Sequence, residues 1–188
     1  MKIILASKSP RRKELLSRIF SDFEIITAET DETLPEGVHP QNGVELLAKR
    51  KGKAVLPLAS DDALIISSDT LVEIDGIPLG KPCDEEDAVR ILSLLSGKVH
   101  RVHTGVAVHY RGRVFSGVDT AFVKFKDFSS EEALDYVKTG EPMDKAGAYA
   151  IQGIGARLIE KYDGDFNAIV GLGLDLTQRL VNRAVEND

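Results

Sequence analysis

Two long runs, "VHRVHTGVAVHY" (99–110) and "RVFSGVDTAFVKFKDF" (113–128), flank the dipeptide Arg111-Gly112. Both are rich in Val and aromatic residues, so they read as two strands joined by a tight turn. This central hairpin constrains the fold more than any other feature. A doubly wound parallel sheet alternates strand and helix throughout. A chain with a long antiparallel hairpin at its middle belongs to the mixed α/β class instead.

Other elements follow around the hairpin. "KIILA" (2–6) is an apolar run read as a buried strand. Ser9 is a good N-cap and Pro10 fits the first position of a helix whose apolar face is Leu15, Leu16 and Ile19. "FEIITAE" (23–29) reads as a second strand, 30–43 as a loop, and 44–56 as a helix. Gly52 weakens that helix by about 1 kcal/mol relative to Ala. "ALIISSDTLVEID" (63–75) reads as a central strand broken near Ser67–Asp69, with a turn at Asp75-Gly76. Asp84 caps a helix that Gly97 closes. Ser129 and Glu132 form the capping box of another, stopped at Gly140. Residues 144–174 are Gly-rich and read as loop then strands, with Gly164 in a turn. "LDLTQRLVNRAVEN" (174–187) is a terminal amphipathic helix. With 188 residues, 43% of them apolar, the chain suits a single domain, 1–188.

The net charge of −6 argues against a broad basic face and hence against stable nucleic-acid binding. A small anionic ligand is still allowed, given a local cluster of Lys and Arg and a divalent cation. No apolar run approaches the roughly 20 residues that span a bilayer. The start, "MKIILASKSPRR", does not read as a signal peptide, so a cytoplasmic protein that does not enter a membrane is expected. The lone Cys83 rules out an internal disulfide and a Cys-cluster zinc site. His100 and His103 are three apart on an expected strand and face opposite sides, while His39 and His109 are isolated.

Several groups could do phosphate chemistry. Gly76 and Gly80 enclose only three residues, and Pro82 follows Lys81. A Walker A loop needs four residues between its glycines and Ser or Thr after its Lys, so this is not one. In "SKSPRR" (7–12) the hydroxyls of Ser7 and Ser9 and the guanidinium forks of Arg11 and Arg12 surround a helix start. That is either an anion site or a capped helix with two solvated arginines. Asp69 ends an apolar run, where a buried carboxylate needs a partner, a cation or a task. Thr70 can donate to a ligand. "LAKRKGKAV" carries Lys49, Arg50, Lys51 and Lys53, which are either a solvated face or a run from which one lysine reaches a phosphate while the helix packs through Leu46, Leu47, Ala54 and Val55. "EPMDKAGAYAIQG" places Asp144, Lys145 and Gln152 beside glycines that permit close backbone approach. A glutamine amide suits the edge of a base.

Taken together, "SKSPRR" (7–12), "SSDTLV" (67–72), "GIPLGKP" (76–82), "LSG" (95–97), "HTGVAV" (103–108) and "EPMDKAGAYAIQG" (141–153) resemble the Maf family of nucleoside triphosphate pyrophosphatases. The pieces run in the family's order over nearly the whole chain. The resemblance implies a mixed α/β fold like that of inosine triphosphate pyrophosphatases, with an elongated, bent sheet and helices around a cleft between two lobes. It also implies hydrolysis of a nucleoside triphosphate to monophosphate and pyrophosphate with Mg²⁺ or Mn²⁺.

By the same resemblance Asp69 falls on the catalytic carboxylate, as proton acceptor or metal ligand. Glu32, with Asp31 as rival, falls on a second acidic position that shares the metal. Lys81 falls on the phosphate-facing lysine, and Lys51 best fits the family's helix lysine. Arg12, Thr70 and Gln152 match the positions that mark the branch acting on dTTP, UTP and some modified pyrimidine nucleotides. The alternatives are the same chemistry on 7-methyl-GTP, and a nucleotide-binding regulator of septum formation without turnover. A homodimer is also implied. One departure is "GLGL" (171–174), where the family often has Pro in place of Gly173.

Overall fold

The computed structural model describes residues 1–186. Asn187, the last position of the expected terminal helix, lies outside them. In chain order the elements are β1 (Ile3–Leu5), α1 (Pro10–Leu16), β2 (Glu24–Ile25), α2 (Pro40–Val55), β3 (Leu64–Ile74), β4 (Ile77–Leu79) and α3 (Glu85–Leu95). They continue with β5 (Val99–Tyr110), β6 (Arg113–Phe125), α4 (Ser130–Val137), β7 (Ile159–Asp163), α5 (Phe166–Val170) and α6 (Leu174–Glu186). One seven-stranded sheet runs β2-β1-β3-β5-β6-β7, with β4 also paired to β3. β1 is parallel to β2 and β3, and the remaining pairs are antiparallel. The mixed α/β architecture expected from the hairpin is the one observed.

The hairpin turns at Arg111 and Gly112, both at positive φ (46° and 72°), the backbone that a two-residue connection requires. Beside it, β3 pairs with β5 without interruption from Ile65 to Glu73. The expected break near Ser67–Asp69 is therefore absent. The polar residues that suggested it are satisfied within the sheet's own packing. Ser67 Oγ donates to Ala48 O of α2 (2.7 Å), and Ser68 Oγ to Gly171 O (2.9 Å).

The two faces of β3 meet different layers. Leu64, Ile66, Val72 and Ile74 join the larger core, with Leu92 of α3, Tyr136 of α4, Ile169 of α5 and Leu180 of α6. The opposite face meets α2. A Cβ on Gly52 would lie 2.4 Å from the ring of His109 and 2.7 Å from Ser67 Oγ, so the glycine that weakens the helix is what lets it touch the sheet.

Three further expectations need correction. The second strand is only Glu24–Ile25, because β1 offers it just two register partners. α2 starts at Pro40 rather than 44, with His39 Nδ1 accepting from Gln41 N (3.3 Å) as its cap. Proline at the first helical position fits this earlier start. The segment 144–174 is not loop then strands. It holds short 3-10 turns, the strand β7, and the helix α5, whose cap is Asp165 Oδ1 accepting from Asn167 N (2.8 Å). Gly164 does sit at positive φ (115°) ahead of that helix.

Candidate active site

The site forms where the sheet forks. β1 pairs with β3 at residues 64–66, and β4 pairs with the same side of β3 at 72–74. Between them, the edge at 67–71 has no strand beside it, and a cleft of about 930 Å³ opens there. Asp69 and Thr70 lie at the middle of that open edge. β1 leaves the sheet at Ala6 and turns into α1, carrying Ser7, Ser9, Arg11 and Arg12 to one wall. α2 adds Lys51, the loop before it Glu32, and the connection after β4 Lys81. Lys145 and Gln152 come from the irregular segment after α4. These eleven residues, all candidates from the sequence, line one cleft, whereas Asp31, Lys49, Arg50 and Lys53 do not.

At its centre, Lys51 Nζ donates to Asp69 Oδ1 at 2.5 Å and pairs with Glu32 Oε1 at 3.0 Å. Asp69 is buried, Lys51 nearly so, and Glu32 lies toward the mouth. Of the other cations on α2, Lys49 pairs with Glu45, and Arg50 donates to the carbonyls of Asp31 and Thr33. Asp31 caps its own turn by accepting from Thr33 N (2.8 Å), and of these two neighbours it is Glu32 that lines the cleft.

Arg12 is held from three sides. Its Nε donates to Gly171 O (2.9 Å), Nη1 to Ser7 Oγ (3.4 Å) and Nη2 to Thr70 Oγ1 (3.3 Å). Burial lowers the pKa of its guanidinium from the ordinary value, and the nearby charge of Asp69 opposes that shift. Thr70 Oγ1 also shares a hydrogen with Thr104 Oγ1 (3.0 Å), and Thr104 Oγ1 donates to Ala168 O (2.7 Å).

Asp144 takes a hydrogen bond from Lys145 Nζ (2.5 Å) and one from Arg11 Nη1 (3.4 Å). Burial alone would raise the Asp144 carboxyl, but Lys145 and Arg11 hold it below the usual range. Lys81 and Gln152 differ from these. Both are exposed and make no hydrogen bond or ion pair among the described residues, which leaves them available to a ligand.

The cleft also contains Lys8 and Glu29, which were not singled out from the sequence. Lys8 lies inside the same strand-to-helix loop as Ser7 and Ser9. Glu29 follows an apolar run, the pattern that drew attention to Asp69.

The Lys51 ammonium lies between two carboxylates, both of them hard oxygen donors. Asp69 and Glu32 both reach the point that Lys51 Nζ holds, and such donors suit Mg²⁺ or Mn²⁺.

The family model described as Maf-like protein matches residues 2–184. A dTTP/UTP pyrophosphatase of Bacillus velezensis is 46% identical over 178 residues, 95% of this chain and 94% of its own. A dTTP/UTP pyrophosphatase of Bdellovibrio bacteriovorus is 42% identical over 187 residues, 96% of this chain and 97% of its own. Among solved structures, the Staphylococcus aureus Ham1 protein matches with a TM-score of 0.55 at 14% identity. That match covers 99% of this chain and 95% of the other, and it speaks for the fold alone.

Proposed function

The chain belongs to the Maf family, and on that premise we propose that its cleft hydrolyses pyrimidine nucleoside triphosphates, dTTP and UTP above others, to the monophosphate and pyrophosphate. The observation that carries this reading is that the Lys51–Asp69–Glu32 cluster lines one cleft together with Arg12, Lys81 and Gln152. A triphosphate carries about four negative charges, and a protein of net charge −6 must offset them locally.

Asp69 Oδ1 is occupied by Lys51, and Oδ2 takes no hydrogen bond among the described residues. Oδ2 is the oxygen that accepts the proton of the attacking water. Lys51, freed from Asp69 when phosphate arrives, joins Arg12 and Lys81 in stabilising charge that develops on the phosphate oxygens. Arg11 and Lys145 add positive charge at the wall, and Ser7 and Ser9 offer hydroxyls beside them. Asp69 and Glu32 would hold Mg²⁺ or Mn²⁺, and the ion would screen the triphosphate and draw electron density from its oxygens. Gln152 reads the base. Its amide presents one donor and one acceptor, which match the N–H and carbonyl of a uracil or thymine edge.

The test is pyrophosphate release across a nucleotide panel with Mg²⁺ or Mn²⁺ present. Release from dTTP and UTP ahead of CTP, ATP, GTP and 7-methyl-GTP is expected. Release from 7-methyl-GTP alone would keep the chemistry and overturn the base assignment.

A further inference from the structure

The residue proposed to read the base sits on backbone that belongs to no helix or strand. Gln152 lies between two 3-10 turns, Ala146–Ala148 and Ile154–Leu158. What fixes it is a pair of side chains outside the cleft lining. Tyr136, on the buried face of α4, is 0% exposed. Its Oη accepts from Ala150 N (3.2 Å) and donates to Glu141 Oε2 (2.6 Å). Glu141 Oε2 also accepts from Gly155 N (2.8 Å), and Oε1 from Ile154 N (3.0 Å). The backbone is thus gripped two residues before Gln152 and again two and three residues after it.

The segment is built for this grip. A Cβ on Gly153 would lie 2.0 Å from Glu141 Oε1, and one on Gly155 would lie 2.5 Å from Tyr136 Oη. Burial would raise the Glu141 carboxyl, but the Tyr136 hydroxyl and the amides of Gly155 and Ile154 hold it below its ordinary range. The carboxylate is therefore the form that these donors select. Glu141 O accepts from Lys145 Nζ (2.9 Å), which ties the same turn to the cleft wall.

We propose that Tyr136 and Glu141 are a positioning pair that sets base preference by holding residues 150–155 so that Gln152 presents its amide to the base. This rests on the base-reading role given to Gln152 above. Neither residue touches substrate. Their loss should leave the phosphate end intact and let the amide wander.

The test compares wild type, Tyr136→Phe, Glu141→Gln, Gln152→Ala and the Tyr136→Phe/Gln152→Ala double variant, with kcat and KM measured for dTTP, UTP and CTP. Tyr136→Phe should raise KM for dTTP and UTP roughly tenfold and leave kcat within about twofold. The preference for dTTP over CTP should fall, and the double variant should discriminate no worse than Gln152→Ala alone. Glu141→Gln turns one acceptor oxygen into an N–H2 donor that meets either Ile154 N or the Gly155 N and Tyr136 hydroxyl pair, so it should flatten the ratio at least as far as Tyr136→Phe.

Amide hydrogen exchange supplies a readout independent of turnover. Residues 149–156 should exchange faster in Tyr136→Phe while 64–74 do not. A proportional loss of kcat on every nucleotide, with the dTTP-to-CTP ratio unchanged, would overturn the proposal when Gln152→Ala does alter that ratio. If Gln152→Ala leaves the ratio unchanged, the base-reading role of Gln152 fails. The pair then still positions the segment if Tyr136→Phe flattens the ratio, and is overturned if it does not. Should Tyr136→Phe fail to fold, Glu141→Gln decides by the same ratio and the same exchange pattern.

Discussion

The phosphate end and the base end proposed for the cleft are held in different ways. At the phosphate end, Asp69 and Thr70 sit on a strand paired in unbroken register from Ile65 to Glu73, and Lys51 sits on a helix of 16 residues packed against that strand. Arg12 is fixed by three hydrogen bonds to the elements around it. At the base end, Gln152 rides on irregular backbone held by Tyr136 and Glu141. Charge stabilisation demands fixed geometry, which regular elements give. Choice among bases demands one amide in one place, which a short gripped segment supplies and can lose without harming the chemistry. Changes at the first end should act on all nucleotides alike. Changes at the second should act on the ratio between them.

Apart from changes at Asp69, the largest expected effect comes from Lys81→Ala. Lys81 is exposed and unpaired among the described residues, so the fold should be indifferent to its loss. Turnover of every nucleotide should fall by roughly 10²-fold, as for other removed charge-stabilising donors. Steady-state kinetics beside thermal unfolding would check this. A selective loss on one base would break the division between the two ends.

The next prediction concerns acid. His100 Nε2 bonds to Tyr149 Oη (2.8 Å) behind the base end, and Nδ1 has no partner. Burial lowers the pKa of His100 from 6.5 to about 4. The unfolded chain therefore takes up the proton first as pH falls. Stability is full above 6.5 and declines towards pH 4, by at most about 3 kcal/mol. Denaturant titrations across this range should show the decline, and His100→Leu should flatten it. Hydrogen exchange at pH 4.5 should quicken at 149–155 before it does in 64–74.

A smaller effect is expected from Lys51→Met. It leaves Asp69 and Glu32 facing one another without their shared ammonium, at a cost on the order of 1–3 kcal/mol. Added Mg²⁺ should raise the unfolding midpoint of this variant more than that of wild type. Equal Mg²⁺ responses would separate Lys51 from the cation site. The smallest effect is that of Gln152→Ala, a roughly tenfold change in the dTTP-to-CTP ratio of kcat/KM with little change in the maximal rate.

The two ends also differed in how far the sequence revealed them. Ser9 before Pro10, the capping box at Ser129 and Glu132, and the Arg111-Gly112 turn are local signals, and each marks its element in the structure. The phosphate-end groups stand out because a charged residue after an apolar run, or two arginines at a helix start, needs a reason that neighbouring residues do not supply. The continuity of β3 was hidden because Ser67 and Ser68 find their acceptors at Ala48 and Gly171, far along the chain. α5 was hidden because five residues are too few to display helical periodicity. The support of Gln152 was hidden for a similar reason. Tyr136 and Glu141 lie 5 to 14 residues from their partners, and nothing in their own surroundings sets a tyrosine and a glutamate apart.

The most direct test of the central claim is pyrophosphate release from dTTP and UTP by wild type and by Asp69→Asn, at saturating Mg²⁺. The variant keeps the size of the side chain and loses its basicity. Release by the wild type, reduced in Asp69→Asn by roughly 10²-fold or more on both nucleotides, is the predicted result. Full turnover by Asp69→Asn, or no release by the wild type from any nucleotide, would contradict it.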